Sequence, residues 1–225
     1  MTLRTVFKHL YGINIIKTII FNFYYLSPKA AIRLPIFIYK RTKLQEIKGK
    51  ISIEVPITTG MLKIGPHCIG TQDCLYSRTI WELSGLLIIK GKARIGRGCK
   101  ISVGKEAILT FGNNLNISGN SEIICQKEIT FGDNCLLSWD ILMMDTDFHY
   151  IINNDGGRGV INPPKPIKIG NHVWIGCRNT ILKGVSIADN NIIAANSTLT
   201  HNITNENCII GGNGKILKTN INWET

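Results

Sequence analysis

Asp145, Thr146, Asp147, Phe148 and His149 stand together just ahead of Tyr150 to Pro166, a stretch that includes Gly156, Gly157, Pro163 and Pro164. An imidazole titrates near neutral pH, so His149 could act as a base on a hydroxyl or an amine, and a nearby carboxylate could hold its tautomer. The same residues also fit a plainer pattern, a hydrogen-bonded histidine beside two solvated turn carboxylates. Trp174, in the segment HVWIG, ends a six-residue unit and could line a site or pack between coils. No metal is expected, because His149, His172 and His201 are 23 and 29 residues apart and lack the i, i+4 or i, i+5 companions that zinc sites use. A phosphate cradle at Gly211 to Lys215 is also unsupported: Ile209 stands where the motif needs glycine, and Ile216 where it needs a hydroxyl.

What must position these residues is written in the aliphatic spacing. Ile169, Ile175, Ile181, Ile187, Ile193 and Leu199 recur every sixth residue, a period that belongs to neither an α-helix nor an isolated strand. The same spacing joins Leu83, Ile89, Ile95 and Ile101, then Phe111, Ile117 and Ile123, then Phe131, Leu137 and Met143. Hexads of this kind predict a parallel β-helix, in which no rung buries its apolar face alone and each stacks on the next. The expected organisation is a basic amphipathic segment at 1–48, a β-helix at 49–212 and a tail at 213–225. The spacing slips near Lys105 and near Lys127, and the register is lost outright between residues 150 and 166; a long irregular loop in a compact fold is usually functional.

Net charge is +11, but residues 1–50 hold ten Lys and Arg against Glu46 alone, a balance of +9 that leaves +2 for the remainder. A nucleic-acid surface on the β-helix is therefore not expected. The basic segment mixes its cations with Leu3, Val6, Phe7, Leu10, Ile15, Ile16, Ile19, Ile20 and Phe23, but Asn14, Lys17 and Asn22 interrupt the apolar run. A membrane-spanning stretch is thus excluded. The segment reads as two short helices, broken at Pro28 and Pro35, that could cap the first coil or lie on an anionic membrane surface. The seven cysteines form no CxxC pair, and Cys68, Cys99 and Cys135 follow aliphatic positions by four residues. They read as inward packing residues of a reduced, cytoplasmic protein.

These segments together resemble the hexapeptide-repeat (left-handed β-helix) acyltransferases, most of all those that O-acetylate sugars of capsules and O-antigens. The matching segments are DTDFH (145–149), Asn162 to Pro166, IGNHVWIG (169–176), ILKGVSIADNNIIAANSTLT (181–200) and GGNGK (211–215), about a third of the chain, in the family's order. The resemblance implies an all-β fold, a left-handed parallel β-helix preceded by a helical segment. It implies a homotrimer with sites between adjacent prisms, acetyl-CoA as acyl donor and a carbohydrate acceptor. By matching position, His149 would be the general base, with Asp147 and Trp174 on the acceptor side. Gly176, Cys177, Ala195, Thr200, His201 and Lys215 would border the coenzyme. The family's usual Ala-Gly-Ser is Ala195-Asn196-Ser197 here, and His201 stands where lysine is common.

The expected activity is transfer of acetyl from acetyl-CoA to a sugar hydroxyl of a bacterial surface polysaccharide or its precursor. Two alternatives stay open: N-acetylation of an amino sugar, which would also use a base, and a non-catalytic scaffold in glycan assembly. The broken wall beside His149 argues against the scaffold.

Overall fold

The computed structural model describes residues 12–154 and 159–224. Leu3, Val6, Phe7 and Leu10 of the basic segment, and Gly156 and Gly157 of the loop, lie outside the described residues. Three parallel sheets wind into the expected left-handed parallel β-helix. One face stacks Ile36–Ile38, Leu62–Ile64, Ala93–Ile95, Leu115–Gly119, Leu136–Trp139, Trp174–Ile175, Ile192–Ile193 and Ile209–Gly211, and Lys215–Lys218 turns back antiparallel to close it. The second face runs from Thr42–Glu46 to Thr198–Leu199, and the third from Lys50–Ile53 to Ser186–Ile187.

Side chains alternate across a strand, so one residue of each rung points inward and meets its equivalent one coil away. Trp81, Ile101, Ile123, Met143, Ile181 and Leu199 form such a column, each partnered in register with the next. All six are buried. At roughly 1.5–3 kcal/mol for each large side chain taken out of water, columns of this kind supply most of the driving force.

The corners explain the abundance of asparagine. Asn114, Asn134, His172, Asn190 and Asn207 stack at one corner with φ between 53° and 59°. Asn120, Asp140, Arg178 and Asn196 stack at another with φ between 51° and 59°. This left-handed region costs most side chains about 1–2 kcal/mol, and Asn and Asp tolerate it better than other residues with a Cβ. Asn196 can therefore fill the corner where glycine is usual.

The β-helix begins earlier than residue 49: Ile36–Ile38 already pairs in parallel with Leu62–Ile64. Its outer edge is sealed by helix α1, Ile15–Tyr25, whose N-cap Asn14 accepts the amide of Lys17 at 3.0 Å. The side chain of Asn22 accepts from the Ile36 amide at 3.1 Å and donates to the Ile36 carbonyl at 2.7 Å. Thr18 Oγ1 accepts from the Ile38 amide at 3.0 Å and donates to its carbonyl at 3.3 Å. Two buried polar side chains thus stand in for the missing neighbouring strand, which an open sheet edge would otherwise recruit from another chain. Phe21 enters the core edge-on to Trp81, at 6.2 Å between ring centroids. Helix α2, Pro28–Ala31, follows after Ser27, so the chain is broken into separate helices before Pro28 among the described residues. At the other end the tail rejoins the wall, where Trp223 stacks on His172 with centroids 4.2 Å apart.

Cys99 and Cys135 are inward packing residues as expected, and burial pushes their thiols up to about 12 and about 11. Cys68 is not: it sits in the excursion between Leu62–Ile64 and Thr79–Leu83, off the inward register, and is disulfide-paired with Cys74. No helix among the described residues is long and apolar enough to cross a membrane.

Candidate active site

The wall opens after Leu142–Met144 and resumes at Ile167–Ile169. Asp145 closes the last regular rung from inside: its carboxylate accepts the amides of Gln126, Lys127 and Glu128 at 2.7, 2.8 and 2.7 Å, and it is fully buried. It is neither a turn residue in water nor a partner of the imidazole. A carboxylate saturated by three amides is a fixed post that anchors the start of the loop.

Beyond that post the chain kinks. Thr146 Oγ1 accepts the Phe148 amide at 3.0 Å, and Phe148 adopts a φ of 60°, which is uncommon for a bulky side chain. The next residue, His149, is held by its backbone: its amide donates to the Asp147 carbonyl at 2.7 Å and its carbonyl accepts from Asn162 Nδ2 at 2.8 Å. The backbone is therefore fixed on both sides while the ring stays exposed and makes no hydrogen bond among the described residues. It faces a cleft of about 210 Å³ lined by Gln126, Thr146, Asp147, Tyr150, Asn162 and Pro164, among others.

Asp147 turns its carboxylate away from the histidine. Its Oδ2 accepts from Lys183 Nζ at 2.5 Å and from Asn162 Nδ2 at 2.8 Å, and these two donors, Lys183 first, hold it below the usual carboxylate range. The expectation that a neighbouring carboxylate holds the His149 tautomer is thus not met by Asp145 or Asp147. Asn162 Oδ1 also accepts the Ile151 amide at 2.6 Å, and its carbonyl accepts from Lys183 Nζ at 2.9 Å. Asn162 and Lys183 together pin the two ends of the loop to the next coil. Sequence reasoning gave neither of them a role. The signal available for Lys183 was a cation inside an otherwise apolar-and-small hexad, ILKGVS.

Trp174 does not line this cleft. It stands on the first face, half-buried, with Nε1 donating to Ser138 Oγ at 3.1 Å and its ring 6.1 Å from Trp223. The residues expected around the coenzyme gather near the C-terminal end instead. Gly176 lies under the next coil so closely that a Cβ there would meet Ile193 O at 2.8 Å and Ala195 N at 2.9 Å. Cys177 accepts the Asn196 amide through its carbonyl, and Ala195 is exposed. Thr200 Oγ1 lies 3.3 Å from Asn213 Oδ1 and 3.4 Å from His201 Nδ1, and Gly214 packs against the His201 ring. Lys215 is exposed beside them. The arrangement offers a base at an open lip and, separately, a strip of small residues ending in a hydroxyl, an imidazole and an ammonium group. Among the described residues no cluster of His, Cys, Asp and Glu could hold a metal ion.

Residues 166–201 match the family model described as bacterial transferase hexapeptide (six repeats). The chain is 34% identical over 94 residues to galactoside O-acetyltransferase of Escherichia coli (strain K12), covering 41% of this chain and 44% of that one. It is 29% identical over 136 residues to polysialic acid O-acetyltransferase of Escherichia coli O1:K1 / APEC, covering 60% of this chain and 41% of that one. In both comparisons it spans less than half of the relative's length. Among solved structures it is similar to the polySia specific acetyltransferase NeuO, with a TM-score of 0.63 at 23% identity over 84% of this chain and 79% of that one. The chain thus carries the hexapeptide repeat of bacterial transferases at residues 166–201, shares its fold with NeuO, and is similar in sequence to sugar O-acetyltransferases.

Proposed function

We propose that the protein is an acetyl-CoA-dependent O-acetyltransferase that acts on a sugar hydroxyl of a bacterial surface polysaccharide or its precursor. The observation that carries this reading is His149: its backbone is fixed on both sides where the β-helix wall opens after Met144, and its ring is left open to the cleft. A base needs a lone pair free for the incoming proton, and a structural histidine would have spent its ring nitrogens on the protein. His149 takes the proton of the acceptor hydroxyl as that oxygen attacks the thioester carbonyl. The carbon–sulfur bond then breaks, and the coenzyme thiolate leaves as the acetyl ester forms. No covalent acyl-enzyme is required, so Cys177 borders the donor through its backbone and its thiol is incidental.

The donor strip fits the coenzyme chemically. Exposed Ala195 leaves room for an extended pantetheine and Gly176, buried beneath it, lets the two coils pack closely there, while Thr200, His201 and Lys215 offer donors and positive charge toward phosphates. Trp174 lies on another face from the His149 cleft, which supports a site assembled between neighbouring prisms of a homotrimer. In that assembly Trp174 and Asp147 border the acceptor, Asp147 through its fixed place beside Asn162. Light scattering at micromolar concentration should give three times the chain mass. The activity itself is tested by thiol release from acetyl-CoA with a panel of galactosides, sialic acid polymers and amino sugars. Acetyl esters on a neutral or acidic sugar support the proposal; exclusive amide formation on amino sugars favours N-acetylation; no thiol release with any acceptor leaves the scaffold.

A further inference from the structure

Helix α1 buries Thr18, Phe21 and Asn22 against the first coil, and it leaves Ile15, Ile16, Ile19, Ile20, Phe23 and Tyr24 on the opposite side, each between 44% and 72% exposed. The spacing i, i+1, i+4, i+5, i+8, i+9 makes them one continuous stripe. Because Thr18 and Asn22 bond to the edge of the first strand, that stripe is the outer surface of the prism's N-terminal end. Solenoid caps ordinarily present a polar outer face to remain soluble, and this cap presents an apolar one.

We propose that this end of the prism docks on a lipid bilayer carrying anionic headgroups. Charge complementarity selects the occupant. Lys29 and Arg33, both exposed, lie on and just after α2, which packs against α1, and Ile32 between them is also exposed. Residues 12–50 carry eight Lys and Arg against Glu46, whose carboxylate is already paired with Lys48. An apolar stripe beside an excess of cations is the pattern of a helix lying in a membrane interface, where the apolar face sinks in and the cations reach the headgroups. A closed three-fold rotation also keeps equivalent ends of the subunits on the same side. On the trimer reading given above, three caps would therefore meet one membrane plane together, and their weak contacts would reinforce one another.

The test is co-flotation of the full-length protein with phosphatidylcholine vesicles, with and without about a third phosphatidylglycerol, alongside light scattering of the same sample. We expect binding to the anionic vesicles that falls at least about tenfold in Ile16→Ser/Ile20→Ser/Phe23→Ser. Lys29→Gln/Arg33→Gln should weaken it by about ten- to thirtyfold, with each well-placed cation contributing about fivefold. Both variants alter exposed side chains, so an unchanged thermal melt verifies that they fold. Absence of binding to anionic vesicles, or binding that the stripe variant leaves intact, overturns the proposal. So does a mass of twice the basal oligomer that the stripe variant abolishes, since the stripe would then be covered by a second copy. Thiol release from acetyl-CoA is measured separately in the absence of vesicles, so failure of the catalytic reading and failure of the membrane reading are distinguishable.

Discussion

Lys183 donates to Asp147 across 36 residues of sequence, and the same ammonium group donates to the carbonyl of Asn162. One cation therefore ties together the residue two before His149 and the residue that closes the other side of the loop. The carboxylate is partly exposed, so the pair is worth little to global stability, within about 0–1 kcal/mol. Its effect falls on the position of the loop. Lys183→Met should leave the melting temperature nearly unchanged and lower turnover by about three- to tenfold, with Lys183→Arg recovering part of the loss. Equal loss of stability and turnover would assign the pair to folding instead.

The same pair sets a pH dependence. Asp147 has a folded-state pKa below its ordinary value, so the stabilisation it gives is present above the unfolded value, about 3.9, and is lost as pH falls through the lowered one. Amide exchange at residues 148–152 should stay slow down to about pH 4 and quicken below it. In Asp147→Asn it should be fast at every pH.

Asn22 is buried and serves both polar groups of Ile36. Asn22→Ala would leave a backbone N–H and a C=O at the sheet edge without partners. At about 1–3 kcal/mol for each unsatisfied group, urea unfolding should show a loss of about 2–4 kcal/mol. Asn22→Leu should be no better, because added apolar contact does not restore the hydrogen bonds.

Cys177 is the half-exposed member of the free cysteines, whereas Cys99, Cys125, Cys135 and Cys208 are buried. Burial holds the thiols of Cys99, Cys125 and Cys135 above their ordinary range. A thiol reagent at pH 8 should therefore label Cys177 first in the native protein. Acetyl-CoA should slow that labelling, and Cys177→Ala should keep turnover within about threefold, less than the ~1.4 kcal/mol of a tenfold change. Loss of all turnover in Cys177→Ala would point to a covalent acyl-enzyme.

Much of this architecture was legible in the sequence, because a six-residue period has one physical solution. Every residue of the run from Ile169 to Leu199 that carries the period is buried. The first coils were not legible. Their rungs, at Ile36–Ile38, Thr42–Glu46 and Lys50–Ile53, are followed by irregular stretches that break the period, and their edge is satisfied by side chains of a helix, which no repeat pattern encodes. The place of His149 at the lip of the loop was legible, because the period stops just after Met143. The roles of Asp145, Asn162 and Lys183 were not, since each depends on which coil lies next to it. Asp145 reaches back to amides 17 to 19 residues earlier, and Lys183 reaches a carboxylate 36 residues away.

The most direct measurement of the central claim is the turnover of His149→Ala, set beside its acetyl-CoA binding, thermal melt and mass in solution. Turnover should fall by about 10² to 10⁴-fold, the range for losing a positioned proton acceptor. Coenzyme binding and melting should be unchanged, because the ring makes no bond to the rest of the described structure and the proposed donor strip lies within residues 176–215. Turnover retained within about threefold of the parent, or a loss that only tracks unfolding, would contradict the assignment of His149 as the base.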